Sequence, residues 1–414
     1  MIPFEEAQTF VLDACVVLSS KVVPIDDALG CVVASSVVAT EPVPPFVNSA
    51  LDGYALRAID TAGVSGPESP TRLEVVGTVM AGAAMGTVVG KGQAARIMTG
   101  ALLPAGADAV CRLEQCRVES DGAVVVVAWP VAAGTAVRRA GEDVAVGDII
   151  LNTVSVITAG HIGVLANQGM THVDVRPLPK VGVLSTGDEL AAEPGLLPLG
   201  MIRDSNRHSL LAMVRQEGWE SIDLGVVGDD EIALGRVLDE AAENCDAIVT
   251  SGGVSVGDHD IVKVVLQQRC GGTMRWMQVA IRPAKPFAFG LLAGTATPVF
   301  ALPGNPVSAM VSFELFVRPA GRRLAGHRTL NRLVVPATAE VGFERRPDGK
   351  IHFVRAFVRM DVDGAWWVRP MVGQQSHHLL AMAESNALAV LPDGHGVAVG
   401  GQLDVMLTDL GRLG

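Results

Sequence analysis

The sequence predicts a multi-domain α/β protein with a β-rich N-terminal region, a central three-layer α/β domain with a mostly parallel sheet, and a C-terminal β-barrel-like domain. Three observations predict it. Strand-like and helix-like segments alternate from Lys180 to Gly326, the pattern of a parallel sheet. On either side, short β-branched runs are separated by turn residues. The 46 glycines and 23 prolines among 414 residues imply many tight turns and argue against a helical bundle. At about 150 residues per domain, this length suggests two to four domains. We set the boundaries at 1–176 for the N-terminal and linker region (a helical part plus a β-rich lobe), 177–326 for the α/β domain and 327–414 for the C-terminal domain.

Residues 4–18 place Phe4, Ala7, Phe10, Val11, Ala14, Cys15 and Leu18 at helical spacing, which predicts an amphipathic helix. Extended chain with a proline cluster at 42–45 follows. TRLEVVGTV, AVCRLEQCRVE and GAVVVVAWPV predict strands between 72 and 148, and 158–168 predicts a short helix closed by Gly169. KVGVLSTG then begins the alternation as a buried strand. SNRHSLLAMVRQEG is a helix capped by Ser205 or Asn206 and stopped by Gly218. SIDLGVVG and DAIVTSGG are strands flanking a helix whose predicted cap is Asp229, and IVKVVLQQRC is helical. PFAFGLL and TPVFALPG are strands, and PVSAMVSFELFVRPAGRRLAG is a closing helix with Pro306 in its first turn. After about residue 330, NRLVVPATAEVGF, KIHFVRAFVRM, AWWVRPMV, ALAVLPDG and QLDVMLTDL predict the small β domain.

The net charge of −12 argues against nucleic acid as a partner. An acidic chain can still bind a small anion through local Arg and Lys groups or a bound cation. The six cysteines, Cys15, Cys31, Cys111, Cys116, Cys245 and Cys270, form no CxxC pair and read as free thiols in a reducing compartment. The acidic N-terminus lacks a signal-peptide core. The apolar stretches 286–313 and 149–171 carry too many prolines or polar residues for a membrane span. The expectation is a cytoplasmic chain with no membrane partner.

In open parallel α/β sheets, ligands bind beyond the carboxyl ends of the strands. Three unusual loops fall there: LSTGDEL (184–190), SGGVSVGDHD (251–260) and LPGNPVS (302–308). Each pairs glycine with hydroxyl or amide groups, as an anion cradle requires. One Gly-rich turn is commonly only a turn; three at equivalent strand ends point to a ligand. Gly252, Gly253 and Ser255 supply one cradle, and Pro303, Asn305 and Pro306 form another. Glu189, Asp229 and Asp260 stand beside these loops. Alone, Asp229 reads as a helix cap and the acids at 188–189 as first-turn carboxylates. Beside a phosphate they suit Mg²⁺, which takes one or two protein carboxylates and phosphate oxygens. In AIRPAKPFAFG (280–290), prolines fix the directions of Arg282 and Lys285, which suits an oxyanion better than a solvated pair. NSALDGYALRAID, RIMTGALLPAGADAV and GEDVAVGD hold Asp52, Thr99 and Asp143; on physics alone these are turns and an ordinary loop acid.

Taken together, NSALDGYA, TGALLPAGADAV, RRAGEDV, VGVLSTGDEL, DSN, SGGVSVGDHD, IRPAKPFAFG and LPGNPVSAMVSF resemble the MoeA family of molybdopterin molybdenumtransferases, which includes the E domain of gephyrin. The likeness continues weakly through FVRA (353–356) and GQQSHHL (373–379), and so covers nearly the whole chain. The α/β domain alone is similar to the molybdopterin-adenylylating MogA/MoaB proteins. The resemblance implies a homodimer that binds adenylylated molybdopterin and molybdate, cleaves the pyrophosphate link with Mg²⁺, releases AMP and inserts molybdenum. It implies catalytic roles for Asp52, Thr99, Asp143, Glu189, Asp229 and Asp260, with Glu189, Asp229 and Asp260 handling the metal. It implies substrate contacts at Pro303, Pro306, Arg355 and Ser376, with Lys285, Arg355 and Ser376 receiving molybdate. The molybdopterin adenylyltransferase is a further implied partner. The family usually reads Lys-Pro-Gly-Lys-Pro where this chain has Arg282-Pro283-Ala284-Lys285-Pro286. Arginine replaces a compact ammonium by a planar fork, and alanine disfavours a positive φ, so the turn either differs there or never needed a positive φ. Two other readings are compatible with the sequence: adenylylation of molybdopterin, and a non-catalytic cofactor-binding scaffold.

Overall fold

The computed structural model describes residues 1–83, 86–191, 195–254 and 261–412. The chain forms two compact units, one of residues Met1–Val22, Gly30–Ala34 and Asp174–Gly414, the other of Val23–Leu29 and Ser35–Val173.

The larger unit is built on a six-stranded sheet in the order Glu220–Val227, Lys180–Thr186, Ala247–Ser251, Pro298–Leu302, Pro286–Leu291 and Arg275–Gln278. The first four strands are parallel. The last two run antiparallel because short loops join them as hairpins. Alternate residues of each strand enter different cores: Val181, Val183, Ala247, Val249, Phe300 and Leu302 on one face, Leu184, Ile248, Val299 and Ala301 on the other. Helices Asn206–Gln216 and Pro306–Ser312 cover the first face, Glu231–Asn244 and Ile261–Cys270 the second. This is the expected three-layer domain.

Three element boundaries differ from expectation. The N-terminal helix spans Phe4–Ala14, not 4–18, because Cys15 turns extended ahead of the β-branched pair Val16–Val17. Its Phe4 packs edge-on against Phe316 and Phe353 at 5.8 and 5.6 Å, so this helix belongs to the core of the α/β domain. Asp230, not Asp229, caps helix Glu231–Asn244; its carboxylate accepts the N–H groups of Ile232 and Ala233 at 2.9 and 3.0 Å. The closing helix is interrupted by a wide π turn over Phe313–Val317 before Arg318–Leu324. Pro319 removes a backbone donor from the ladder there.

In the same unit, Ile351–Met360, Trp366–Pro370, Val334–Ala339, Gln402–Leu407 and Ala387–Leu391 pair in that order, and the last closes on the first. The result is a five-stranded barrel filled by Ala356, Val358, Val368, Leu391, Val405 and their neighbours. The short strand Ile281–Arg282 adds to its outside, parallel to Ile351 and His352.

The second unit holds a six-stranded sheet in the order Ala109–Arg112, Gly53–Leu56, Gln93–Ile97, Thr71–Val79, Val124–Val127 and Cys116–Glu119. Its two edge strands are joined by the three-residue turn Leu113–Gln115, so the sheet curls until its edges meet. Helix Ala159–Asn167 begins in a capping box between Thr158 and His161 and is followed by Gly169 at φ +67°. No helix among the described residues is long and apolar enough to cross a membrane.

Candidate active site

Loops at three strand ends of the larger sheet line one small cavity of about 90 Å³, with Ser185, Thr186 and Glu189 from the first, Ser251 and Gly252 from the second, and Gly304 and Pro306 from the third. Asp204 and Asn206 close it. Asn206 ties two of the loops together: its amide nitrogen donates to Ser251 Oγ at 2.8 Å and to the Gly304 carbonyl at 2.7 Å. The carbonyl partner fixes which end of the amide is the nitrogen. Its oxygen is thereby left buried without a partner. Asp204 accepts from Ser185 Oγ at 3.0 Å and from Arg207 Nε at 2.9 Å. Gly252 sits at φ +100°, where a Cβ would lie 2.8 Å from the Thr186 carbonyl; only glycine fits. Its N–H already donates to Leu302 O at 3.1 Å, so Gly252 offers close approach rather than a free donor. Gly253 follows at φ +73°. Ser255 and Asp260 lie outside the described residues.

Glu189 and Asp229 are both exposed, on loops that touch. Gly187 N–H donates to Val227 O at 3.2 Å, and Asp229 N–H donates to Asp188 Oδ1 at 2.9 Å. Among the described residues no group of three or more His, Cys, Asp or Glu side chains is placed to hold a metal ion. Two exposed carboxylates on adjoining loops nevertheless fit Mg²⁺, which needs only one or two when phosphate oxygens complete its shell.

A second cavity, of about 570 Å³, is lined by Arg282, Arg345, His352, Arg355, Met371 and Gln374, among others. Arg355 is 1% exposed. Its guanidinium donates to the carbonyls of Gly373 and Gln375 at 2.9 and 3.0 Å. Its Nε has no partner, and no carboxylate pairs with it among the described residues. Burial, aided by the charge of Arg282, pushes its pKa down to about 10. Arg282 and Lys285 are exposed at the two ends of one turn. The segment that holds Arg355 also reaches the LPGNP loop: the Ser376 carbonyl accepts Val307 N–H at 3.1 Å, just past the Pro306 start of its helix. Pro303 is buried there, while Asn305 is exposed and makes no side-chain cap bond.

In the second unit, Asp52 and Thr99 form a pair. Asp52 Oδ1 accepts both the backbone N–H and the hydroxyl of Thr99, each at 2.7 Å. These two bonds hold the Asp52 carboxyl below the usual carboxylate range, so it is ionised at neutral pH. Asp143 is exposed, and its N–H donates to Val43 O at 3.0 Å.

Three family models match this chain: the MoeA N-terminal region (domain I and II) over residues 2–169, the probable molybdopterin binding domain over 182–323, and the MoeA C-terminal region (domain IV) over 338–408. The molybdopterin molybdenumtransferase 2 of Mycobacterium tuberculosis (strain ATCC 25618 / H37Rv) is 38% identical over 394 residues, covering 92% of this chain and 94% of that protein. The chain belongs to the MoeA family. The molybdopterin molybdenumtransferase of Haemophilus influenzae is 34% identical over 378 residues, covering 91% of each chain. The crystal structure of the molybdopterin biosynthesis MoeA protein from Pyrococcus horikoshii OT3 is 28% identical, covers 98% of this chain and 100% of that one, and superposes with a TM-score of 0.79.

Against the usual MoeA pattern, the Arg282–Lys285 turn brings a correction. Ala284 adopts φ +71° despite its Cβ, so the turn is left-handed there with alanine in place of glycine. Sequence reasoning passed over Asn206, Gln374, Arg345 and His352 as site residues. Asn206 was within reach, since DSN is one of the family-like motifs and opens a helix at a strand end. Nothing local marks the other three, which meet only when strands from distant segments close the barrel.

Proposed function

We propose that this chain inserts molybdate into adenylylated molybdopterin, with Mg²⁺-dependent cleavage of the pyrophosphate bond and release of AMP. The observation that carries this reading is Arg355, a buried guanidinium beside Arg282 with no carboxylate partner among the described residues. A buried unpaired charge is costly. A doubly charged oxyanion in the adjoining cavity, as molybdate is, would balance both arginines. Arg282, Arg355 and the Ser376 segment would receive it, with Lys285 at the far end of the turn.

The small cavity would hold the pyrophosphate end of the pterin substrate. Its loops are positioned by Asn206, whose free carbonyl oxygen can accept from a bound water. Glu189 and Asp229, with Asp260, would hold Mg²⁺, which supplies charge neutralisation at the pyrophosphate when bound. Asp52, kept ionised by Thr99, can orient an attacking or departing group at neutral pH without needing a proton. The proposal includes a homodimer in the cytoplasm that receives its substrate from the molybdopterin adenylyltransferase.

The test combines purified protein, adenylylated molybdopterin, Mg²⁺ and molybdate. The expected result is AMP release together with a cofactor that activates a cofactor-free molybdoenzyme. Absence of both products overturns the proposal.

A further inference from the structure

The six cysteines differ in one respect that the sequence spacing hides. Cys111 is the next-to-last residue of one edge strand of the curled sheet and Cys116 begins the other. Because those edges meet at the Leu113–Gln115 turn, the two sulfurs lie 3.2 Å apart, both reduced. Both side chains pack on the same apolar core, formed by Tyr54, Leu73 and Val125. Cys111 is 2% exposed and Cys116 is half-buried. No other cysteine pair among the described residues makes such a contact. Cys15 and Cys270 sit in apolar cores that push their thiols up to about 12 and about 11, which makes them poor nucleophiles.

We propose that Cys111 and Cys116 form a reversible intramolecular disulfide on exposure to a small peroxide, a modification site beside Asp52. The pair is already arranged for it. The Cys116 thiol donates to the Cys111 sulfur and lowers its pKa, so Cys111 is the nucleophile and Cys116 resolves. The Cys111 thiolate attacks one oxygen of hydrogen peroxide. The O–O bond breaks, hydroxide leaves and takes a proton to become water, and Cys111 becomes a sulfenic acid. The Cys116 sulfur then attacks that sulfur, and its proton leaves with the displaced hydroxyl as a second water. The thiols lose two electrons and the peroxide gains them. A peroxide little larger than water suits a nearly buried nucleophile.

The turn between the two cysteines touches a predicted site residue. Leu113 N–H donates to the Asp52 carbonyl at 3.4 Å, and Gly53 and Tyr54 pair with Arg112 and Cys111. Bringing the sulfurs from 3.2 Å to about 2.05 Å moves this turn, and with it the backbone of Asp52. The effect on activity rests on the proposed function; the disulfide does not.

The test uses the full-length wild-type chain. It is treated with hydrogen peroxide, free thiols are alkylated, and the protein is digested with trypsin without reduction. Trypsin cuts after Arg112, so the disulfide joins peptides 97–112 and 113–117. The expected species is their sum less two hydrogens, with two of the six thiols lost and both restored by dithiothreitol. AMP release is expected to fall on oxidation and recover on reduction. Cys111 and Cys116 remaining alkylatable while other thiols oxidise overturns the proposal, as does a sulfinic acid at either position without the linked pair. Linked peptides with unchanged AMP release refute the coupling to Asp52, and linked peptides without AMP release before oxidation refute the proposed function instead.

Discussion

Two buried arginine clusters lie in the larger unit, and they differ in how their positive charge is met. Around Arg318, 6% exposed, every arginine has a carboxylate partner, Arg322 included at 4.0 Å from Glu217. Arg318 Nε meets Glu217 Oε1 at 2.8 Å, and Arg332 meets Glu217 at 2.8 Å and Glu314 at 2.9 Å. Around Arg355 no carboxylate among the described residues pairs with the guanidinium; Asp348, which lines the same cavity, is engaged by Arg345, Lys350 and His352 instead. The partners of Arg355 are the carbonyls of Gly373 and Gln375, and its charged neighbour is another cation, Arg282. The first cluster is complete without a ligand and so reads as structural. The second leaves the Arg355 guanidinium with no carboxylate partner among the described residues, and an anion from outside would complete it. The contrast matters because burial alone does not separate the two; the missing partner does.

The largest expected effect breaks the balanced cluster. Glu217→Ala strips the shared carboxylate from Arg318 and Arg332 and leaves a buried cation unpaired. A loss of about 3–5 kcal/mol of stability is expected, read as a lower denaturant midpoint. AMP release per folded molecule is expected to stay unchanged. An equal loss of turnover among folded molecules would erase the distinction between the clusters.

The next breaks the unbalanced one. Arg355→Met keeps a long apolar stem and removes the charge. About a 10²–10³-fold fall in kcat/KM for molybdate is expected, the range seen when one oxyanion donor is removed. The thermal midpoint is expected to move little, because relief of an uncompensated charge offsets the two orphaned carbonyls. A large stability loss with turnover preserved would make Arg355 a structural residue like Arg318.

This contrast was only half legible in the sequence. The alternating strands and helices of 180–326 could be read because their apolar runs carry the period of each element, and the three Gly-rich loops could be read because each follows such a run. Arg355 could be singled out only by resemblance. Whether an arginine inside FVRAFVRM is paired depends on residues from Arg282 to Gln375, which meet when the barrel closes. The same limit hid Cys111 and Cys116, whose five-residue separation suggests nothing until the sheet curls. It also misplaced the cap at Asp229: the two aspartates side by side are equivalent in composition, and only the backbone path makes Asp230 the acceptor.

A smaller effect belongs to the rim of the balanced cluster. His327 is packed near Arg322, Arg318 and Glu217, and its Nδ1 is buried without a partner. Burial, aided by Arg322 and opposed by Glu217, pushes its pKa down to about 4. The folded state therefore refuses a proton that the unfolded chain accepts below about 6.5. Stability present above pH 6.5 is lost as pH falls toward 4, by about 2–3 kcal/mol at most. His327→Gln is expected to flatten that part of the curve, seen as the difference between the thermal midpoints of variant and parent across pH 4–7. Identical slopes for the two proteins would remove His327 as the cause.

The smallest effect tests how the unbalanced cluster is aimed. Ala284 holds φ +71° while 3% exposed, between Arg282 and Lys285. A left-handed non-glycine residue costs about 1–2 kcal/mol. Ala284→Gly removes that cost but gives up a buried methyl, worth about 0.8 kcal/mol, and adds about 0.4–1 kcal/mol of unfolded-chain entropy. These terms nearly cancel, so a shift within about 1 kcal/mol and an unchanged KM for molybdate are expected. Ala284→Val presses a β-branched side chain into the same conformation, which is a genuine outlier. It is expected to destabilise by more than the glycine variant and, by forcing the turn to another φ, to raise the KM for molybdate. If valine left that KM at the parent value, the left-handed turn would have no part in presenting Arg282 and Lys285 to the anion.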